Sequence, residues 1–316
     1  MPKQAKTLTT LRRILVPLDS KVAARSSMEA AFQVAECMAA HVNVLVIGED
    51  PTLDEDKYPP NIEDLPPPTG SSRVRGHDKI VESRAAEIRK VFDELCVRHG
   101  VKTVKRKVPL KKVSAGWSSD LGEPANVVAR QGRRSDLIVL AKPTSISKMR
   151  SKIHIGAALF ETGRPVLVVP PNPAPSLGRK VAIAWNDSAE ASRAVAAAMR
   201  IINCADEVVI LTAEGERRPA HMAEELAEYF SLHGINADYD VFSQEGEEPL
   251  GGATLFDQCR RVGADLLVML HDHRPEELPT VSLPQESMHN RWVFPDDDHA
   301  ADDATFLEHL EPLPDE

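Results

Sequence analysis

Two short polar clusters follow apolar runs and raise the first question of chemistry. Asp19-Ser20 closes Ile14-Leu15-Val16-Pro17-Leu18, and Asn186-Asp187-Ser188-Ala189-Glu190 closes Val181-Ala182-Ile183-Ala184-Trp185. If the apolar runs are strands of an open α/β sheet, these clusters sit where such sheets hold ligands, beyond the carboxyl ends of the strands. The bland account is helix initiation. Asp19-Ser20 suits a cap or turn, and Asp187 with Glu190 has the spacing of a capping box. Helix initiation is the preferred reading of both. Lys142, Lys148, Arg150 and Lys152 carry the charge to attract an anion, but read as a solvated basic loop. His271-Asp272-His273, with His289, His299 and His309 downstream, offers ligand types that zinc accepts. Their spacing matches no established motif and the flanks are proline-rich, so no metal is expected. No glycine-rich pyrophosphatase loop follows either apolar run, and there is no GxSxG elbow. No catalytic constellation emerges, and the chain does not read as an enzyme. Cys37, Cys96, Cys204 and Cys259 form no CxxC pair. They read as reduced core thiols.

The elements that must position these residues follow from the apolar pattern. Residues 14–18 read as a buried strand, 22–40 as a helix and 42–47 as a strand. A helix over 78–99 stops at His99-Gly100, where glycine suits the left-handed C-terminal position. Residues 101–110 read as a strand, 122–132 as a helix, 137–140 as a strand, 153–162 as a helix and 166–169 as a fifth strand. Strands alternating with helices argue a parallel sheet with helices on both faces. Prolines mark the joints. Those between Pro51 and Pro68 indicate a long exposed loop, and the segment Asp50 to Gly76 is expected to be mobile. Pro170 to Pro175 reads as a stiff linker.

The pattern then repeats. Arg13-Ile14-Leu15-Val16 matches Lys180-Val181-Ala182-Ile183, Asp19 matches Asn186, and Cys37 matches Cys204, all 167 residues apart. His99-Gly100 matches His233-Gly234, and Ser135-Asp136-Leu137-Ile138-Val139 matches Ala264-Asp265-Leu266-Leu267-Val268. The reading is two copies of one α/β unit: 11–171, a linker over 172–177, a degenerate second copy over 178–294, and a tail over 295–316. No fourth helix is evident after Val268-Met269-Leu270. Arg291-Trp292-Val293-Phe294 is either a substitute fifth strand or a hydrophobic anchor.

The net charge of -10 belongs to the tail, since residues 295–316 hold nine acids and no Lys or Arg. The body is near neutral, and aromatics are 4% of the chain. Neither the basic field nor the stacking platforms of a nucleic-acid binder are present. No apolar stretch approaches the ~20 residues that span a bilayer. No secretory signal is read at the start, so the expected location is cytoplasmic.

The motifs together resemble the universal stress protein family. They are Ile14-Leu15-Val16-Pro17-Leu18-Asp19-Ser20, then Ser135-Asp136-Leu137-Ile138-Val139-Leu140, then Gly163-Arg164-Pro165-Val166-Leu167-Val168-Val169-Pro170, with partial second copies at 181–188 and 264–269. The resemblance implies two tandem doubly wound five-stranded parallel sheets, strand order 3-2-1-4-5, the second incomplete. It also implies dimer-like pairing of units and a role in stress survival. Because the uncharged apolar run Val166-Leu167-Val168-Val169 is an edge that needs cover, a homodimer or an intramolecular pairing of the two units through their fifth strands is expected. In that order the third strand is an edge. Lys102, Lys105, Arg106, Lys107, Lys111 and Lys112 then read as edge protection rather than a nucleic-acid patch.

Some relatives bind ATP through a glycine-rich loop after strand four and an acid after strand one. Asp19 matches the acid. Ala141 stands where the first glycine belongs, Lys142-Pro143-Thr144 follows without the second, and Gly156-Ala157 only echoes the final pair. The second copy reads Leu270-His271-Asp272-His273 there, with no glycine. The expected function is binding or scaffolding in a stress response, with no cofactor and no tight ATP site. The alternative is an ATP-binding member with weak ATPase or phosphotransfer activity. The weak pocket candidates are Asp19, Ser20, Ala141, Lys142, Gly156, Ala157, Asn186 and Asp187.

Overall fold

The computed structural model describes residues 11–18, 21–48, 70–104, 112–142, 148–172, 175–214, 219–243, 252–270 and 290–294. Strands β1 (Arg13–Leu18), β2 (His41–Gly48), β3 (Lys102–Thr103), β4 (Ser114–Leu121), β5 (Leu137–Ala141) and β6 (Val166–Val169) come first. Between them lie helices α1 (Lys21–Met38), α2 (Gly70–Arg98), α3 (Pro124–Gly132) and α4 (Lys148–Glu161). Strands β7 (Lys180–Ala184), β8 (Glu207–Ala213), β9 (Ala237–Phe242), β10 (Leu266–Leu270) and β11 (Asn290–Phe294) follow, with helices α5 (Ala189–Ile202), α6 (Pro219–Leu232) and α7 (Gly252–Val262).

One half of the sheet runs β3-β4-β2-β1-β5-β6 and the other β11-β10-β7-β8-β9. Every pair within a half is parallel. The expected parallel sheets are therefore present, but they are not separate. β6 and β11 pair antiparallel, with Val166 opposite Val293 and Leu167 opposite Trp292, and the result is one 11-stranded mixed sheet. The cause lies in β6. Val166 and Leu167 are fully buried, and an apolar strand left at an edge invites pairing. Residues 291–294, open between strand and anchor in the sequence, are part of β11.

The second half has the expected order 3-2-1-4-5. In the first half the expected strand over 101–110 is described only as far as residue 104: Lys102–Thr103 form a strand, and residues 105–111 lie outside the described ones. The partner of β2 is β4, which the apolar pattern does not mark. Ala115 is buried and Trp117 packs against the same core, but the opposite face carries Ser114, Gly116 and Ser118. Glycine has a reason at that position. A Cβ built on Gly116 would lie 2.8 Å from His41 Nε2, and the same ring places Nδ1 2.9 Å from Ser114 Oγ. Lys102 lies on the outermost strand and Lys112 just precedes β4. Lys105, Arg106, Lys107 and Lys111 fall outside the described residues, as do 50–69 of the expected mobile loop and the tail beyond Phe294. Residues 70–76 of that loop are helical, because α2 begins at Gly70 rather than near 78. Helix α2 ends as expected, with Gly100 at φ +60°, and Gly234 repeats the feature at +76° after α6.

One face of the sheet carries a single apolar core that crosses both halves. Helices α1 and α5 touch there, with Met28 and Phe32 of α1 and Ala194 and Ala198 of α5 buried in the same cluster. The opposite face holds two separate cores, one under α3 and α4 and the other under α7. Where α1 and α5 end, Cys37 and Cys204 form a disulfide with Cα atoms 6.3 Å apart. This corrects the expectation of four reduced thiols. Cys96 and Cys259 are buried and form no disulfide. Among the described residues no helix is long and apolar enough to cross a membrane.

The repeated Asp-Leu motif has a mechanical role. Asp136 precedes β5, and its Oδ2 accepts the backbone N–H groups of Arg12 and Arg13 at 2.8 and 2.9 Å. Its own N–H donates to the Arg13 carbonyl at 2.8 Å. Asp265 does the same for β7. It accepts the N–H groups of Gly178, Arg179 and Lys180 at 3.0 to 3.2 Å and the Ser176 hydroxyl at 2.9 Å. Each aspartate thus anchors the start of a central strand, at the end of the sheet away from the ligand side. Removing such an acceptor strands several donors at once. Asp265→Ala is expected to cost roughly 2–4 kcal/mol in urea unfolding.

Candidate functional site

Strand order reverses between β1 and β5 in one half and between β7 and β10 in the other. A crevice at the carboxyl ends of such strands is where open parallel sheets hold ligands. In the first half, β1 pairs with β5 through Ile14 with Leu137 and Leu15 with Ile138. The carboxyl end of β1 therefore lies beside Ala141. Asp19 and Ser20, which follow it, lie outside the described residues, as do 143–147. Ala141 is buried in β5 and pairs with Val169. The Lys142 N–H continues the ladder, donating to the Val169 carbonyl at 2.7 Å. That backbone donor is committed to the sheet. Gly156 and Ala157 sit within α4, and Ala157 is packed in the core beside Ile155 and Leu159. Lys148, Arg150 and Lys152 fall in the first turns of α4.

The second half shows its β7 turn in full. Ser188 caps α5, its Oγ accepting the Ala191 N–H at 3.1 Å. The expected capping box of Asp187 and Glu190 is therefore corrected by one residue. Glu190 pairs with Arg193 on its own helix at 3.2 Å. Asn186 Oδ1 accepts the Ser188 N–H at 3.2 Å, forming the short local turn that asparagine favours. Asp187 takes φ +60°, a left-handed conformation that aspartate tolerates better than most residues. The structure thus brings Asn186, Asp187 and Ser188 together as a helix entrance. His271, Asp272, His273 and His289 lie outside the described residues, as do His299 and His309. Among the described residues no group of three or more His, Cys, Asp or Glu could hold a metal.

Two residues absent from the sequence candidates stand at this end. Trp185 directly follows β7, and Thr212 lies in the last turn of the pleat of β8. The Ala184–Leu211 register makes them neighbours. Trp185 belongs to the core shared by the two halves, and alternation along β8 puts Thr212 on the same side as Val208 and Ile210. Both are more than nine-tenths buried, and Trp185 Nε1 and Thr212 Oγ1 have no hydrogen-bond partner among the described residues. Unpaired buried polar groups are uncommon and ask for an explanation. The signal available in the sequence was the period of two, which turns a threonine inward at the end of an apolar strand.

In the first half, the end of β4 is tied to α3. Asp120 accepts hydrogen bonds from Arg130 Nη2 at 2.8 Å and Gln131 Nε2 at 2.9 Å. Burial by itself would raise its pKa, but these hydrogen bonds outweigh burial and hold the carboxyl below its ordinary value.

A solved structure of a universal stress protein from Archaeoglobus fulgidus superposes over 91% of this chain and 99% of its own, with a TM-score of 0.60 at 14% identity. The chain has the universal stress protein fold. A putative universal stress protein from Pseudomonas aeruginosa covers 95% of this chain and 96% of its own, at 15% identity and a TM-score of 0.48. A functionally unknown protein from the same species covers 95% of each, at 14% identity and 0.48. No family model matches the chain, and no curated protein sequence does. Within the universal stress protein fold, the β1/β5 and β7/β10 crevices remain the places to look for a ligand.

Two outcomes follow from these contacts. Thr212→Val removes a buried hydroxyl that has no partner, and should raise stability by about 1 kcal/mol in urea unfolding without ligand. For Asp120 the folded pKa is lowered, so its stabilisation is present above the unfolded value near ~3.9 and is lost as pH falls through the folded pKa. Asp120→Asn should therefore cost up to ~1 kcal/mol at pH 7 and flatten the acid limb of a stability–pH curve below about pH 4.

Proposed function

We propose that this chain acts in a stress response by binding or scaffolding, without catalysis and without tight ATP binding. The observation that carries this reading is the end of β5. Where a phosphate cradle would need free backbone N–H groups and glycine, Ala141 is a buried ladder residue and the Lys142 N–H is given to the Val169 carbonyl. Pro143, next in the chain, has no N–H to offer. In the second half Leu270 stands at the corresponding position and pairs with Phe294 of β11. Each charge-assisted bond lost from a cradle costs ~1.5–3 kcal/mol, so losing two or three weakens binding by several decades. Cytoplasmic location and homodimerisation, beyond the internal pairing of β6 with β11, belong to the same proposal.

A second reading is an ATP-binding protein with weak ATPase or phosphotransfer activity. The unpaired Trp185 Nε1 and Thr212 Oγ1 favour a polar ligand at the β7/β8 end. Neither group lies where a phosphate cradle would, so they speak for the sugar or base end of a ligand. Calorimetry with ATP and magnesium, run beside AMP, separates the readings. The expected outcome is no binding tighter than millimolar at either half. A micromolar dissociation constant with one or two sites per chain would promote the second reading.

A further inference from the structure

We propose that Cys37 and Cys204 form a redox-responsive clasp across the seam between the two halves of the sheet, closed by low-molecular-weight disulfides and opened by thiols. The first support is position. Cys37 lies in the last turn of α1, and Cys204 lies just beyond the end of α5. They are 167 residues apart, the same interval that relates β1 to β7 in the repeat. When two like units pair about a two-fold axis, a residue close to the axis meets its own counterpart. Helices α1 and α5 touch across the shared core, and their equivalent cysteines meet with Cα atoms 6.3 Å apart. That separation is within the range that a disulfide bridges.

The second support is access. Cys37 and Cys204 are both exposed, whereas Cys96 and Cys259 are buried. Thiol–disulfide exchange requires a thiolate that can be reached. Burial, reinforced by nearby Asp93, pushes the Cys96 thiol up to about 11, which keeps it protonated at neutral pH. Exposed disulfides are the labile and regulatory ones, whereas buried disulfides resist reduction. The fold therefore separates two inert thiols from two that can react.

The exchange balances without any further reagent. One protein thiolate attacks a sulfur of the small disulfide and expels one small thiolate. The second protein thiolate attacks the protein sulfur of the mixed disulfide and expels the other. Two protein thiols are oxidised to one disulfide, one small disulfide is reduced to two thiols, and the two protein protons end on the leaving thiolates. Closing the clasp adds a covalent tie to a seam otherwise held by the shared core, the β6–β11 ladder and the connecting chain. Opening it leaves only those.

The test uses the full-length chain in mixtures of glutathione and glutathione disulfide, followed by acid quench, alkylation and mass spectrometry. Cys37 and Cys204 should convert together, as one two-electron transition within a single chain, while Cys96 and Cys259 stay unmodified in the folded protein. A dithiol should lower the melting temperature of the wild type by about 5–10 °C. It should also speed amide exchange in residues 166–169. Cys37→Ser and Cys204→Ser should show neither response while retaining the wild-type circular dichroism. Three results would overturn the proposal: mixed disulfides with glutathione at both sites but no internal bond, a bond formed only between chains, or an internal bond that a dithiol reduces only after denaturation. If both single variants fail to fold, titration of the wild type alone still decides between these outcomes.

Discussion

An apolar strand cannot end a sheet in water without cover, and the architecture turns on how this chain meets that constraint at β6. Val166-Leu167-Val168-Val169 carries no charge, no proline and no bulge, the devices that blunt an edge. The strand is covered instead by β11, which arrives antiparallel from the other half. That single pairing converts two parallel units into one continuous sheet. It also sets α1 and α5 side by side, so that a single core runs beneath both. Beyond the sheet, the same juxtaposition lets Cys37 and Cys204 meet.

The two ends of the sheet divide the labour. At the amino ends of the strands, Asp136 and Asp265 gather the backbone N–H groups that open β1 and β7. A motif that recurs in both copies is thus explained by anchoring, with no ligand involved. At the carboxyl ends the two halves diverge. The first closes its ladder through Lys142, whose backbone N–H is given to the Val169 carbonyl. The second spends Asn186 and Ser188 on a turn and a cap, and leaves Trp185 and Thr212 buried and unpaired. Among the described residues, local bonding accounts for the Lys142 N–H, Asn186 and Ser188, and two residues that carried no motif come forward beside them.

Much of the fold was legible in the chain. The apolar runs at β1, β2, β5 and β6 are continuous, because those strands are buried on both faces, and such runs need no partner to be recognised. The His-Gly stops after α2 and α6 were legible because the left-handed residue that ends a helix is a local demand on φ. Strand β4 was hidden for the opposite reason. It is half polar, and its serines and glycine make sense only against His41 and the neighbouring β2. The start of α2 was misplaced because the segment beginning at Gly70 shows little apolar periodicity.

By itself the sequence determined the α/β alternation, the matched pairs at a 167-residue interval, and the loss of glycine after β5. These are properties of residue type and spacing along the chain. Tertiary structure alone decided that β6 and β11 run antiparallel, that Ser188 rather than Asp187 caps α5, and that the cysteines pair. Each of these depends on which groups lie within a few ångströms after folding. A matched spacing states that two residues are equivalent, and only the packing of α1 against α5 places them close enough to bond.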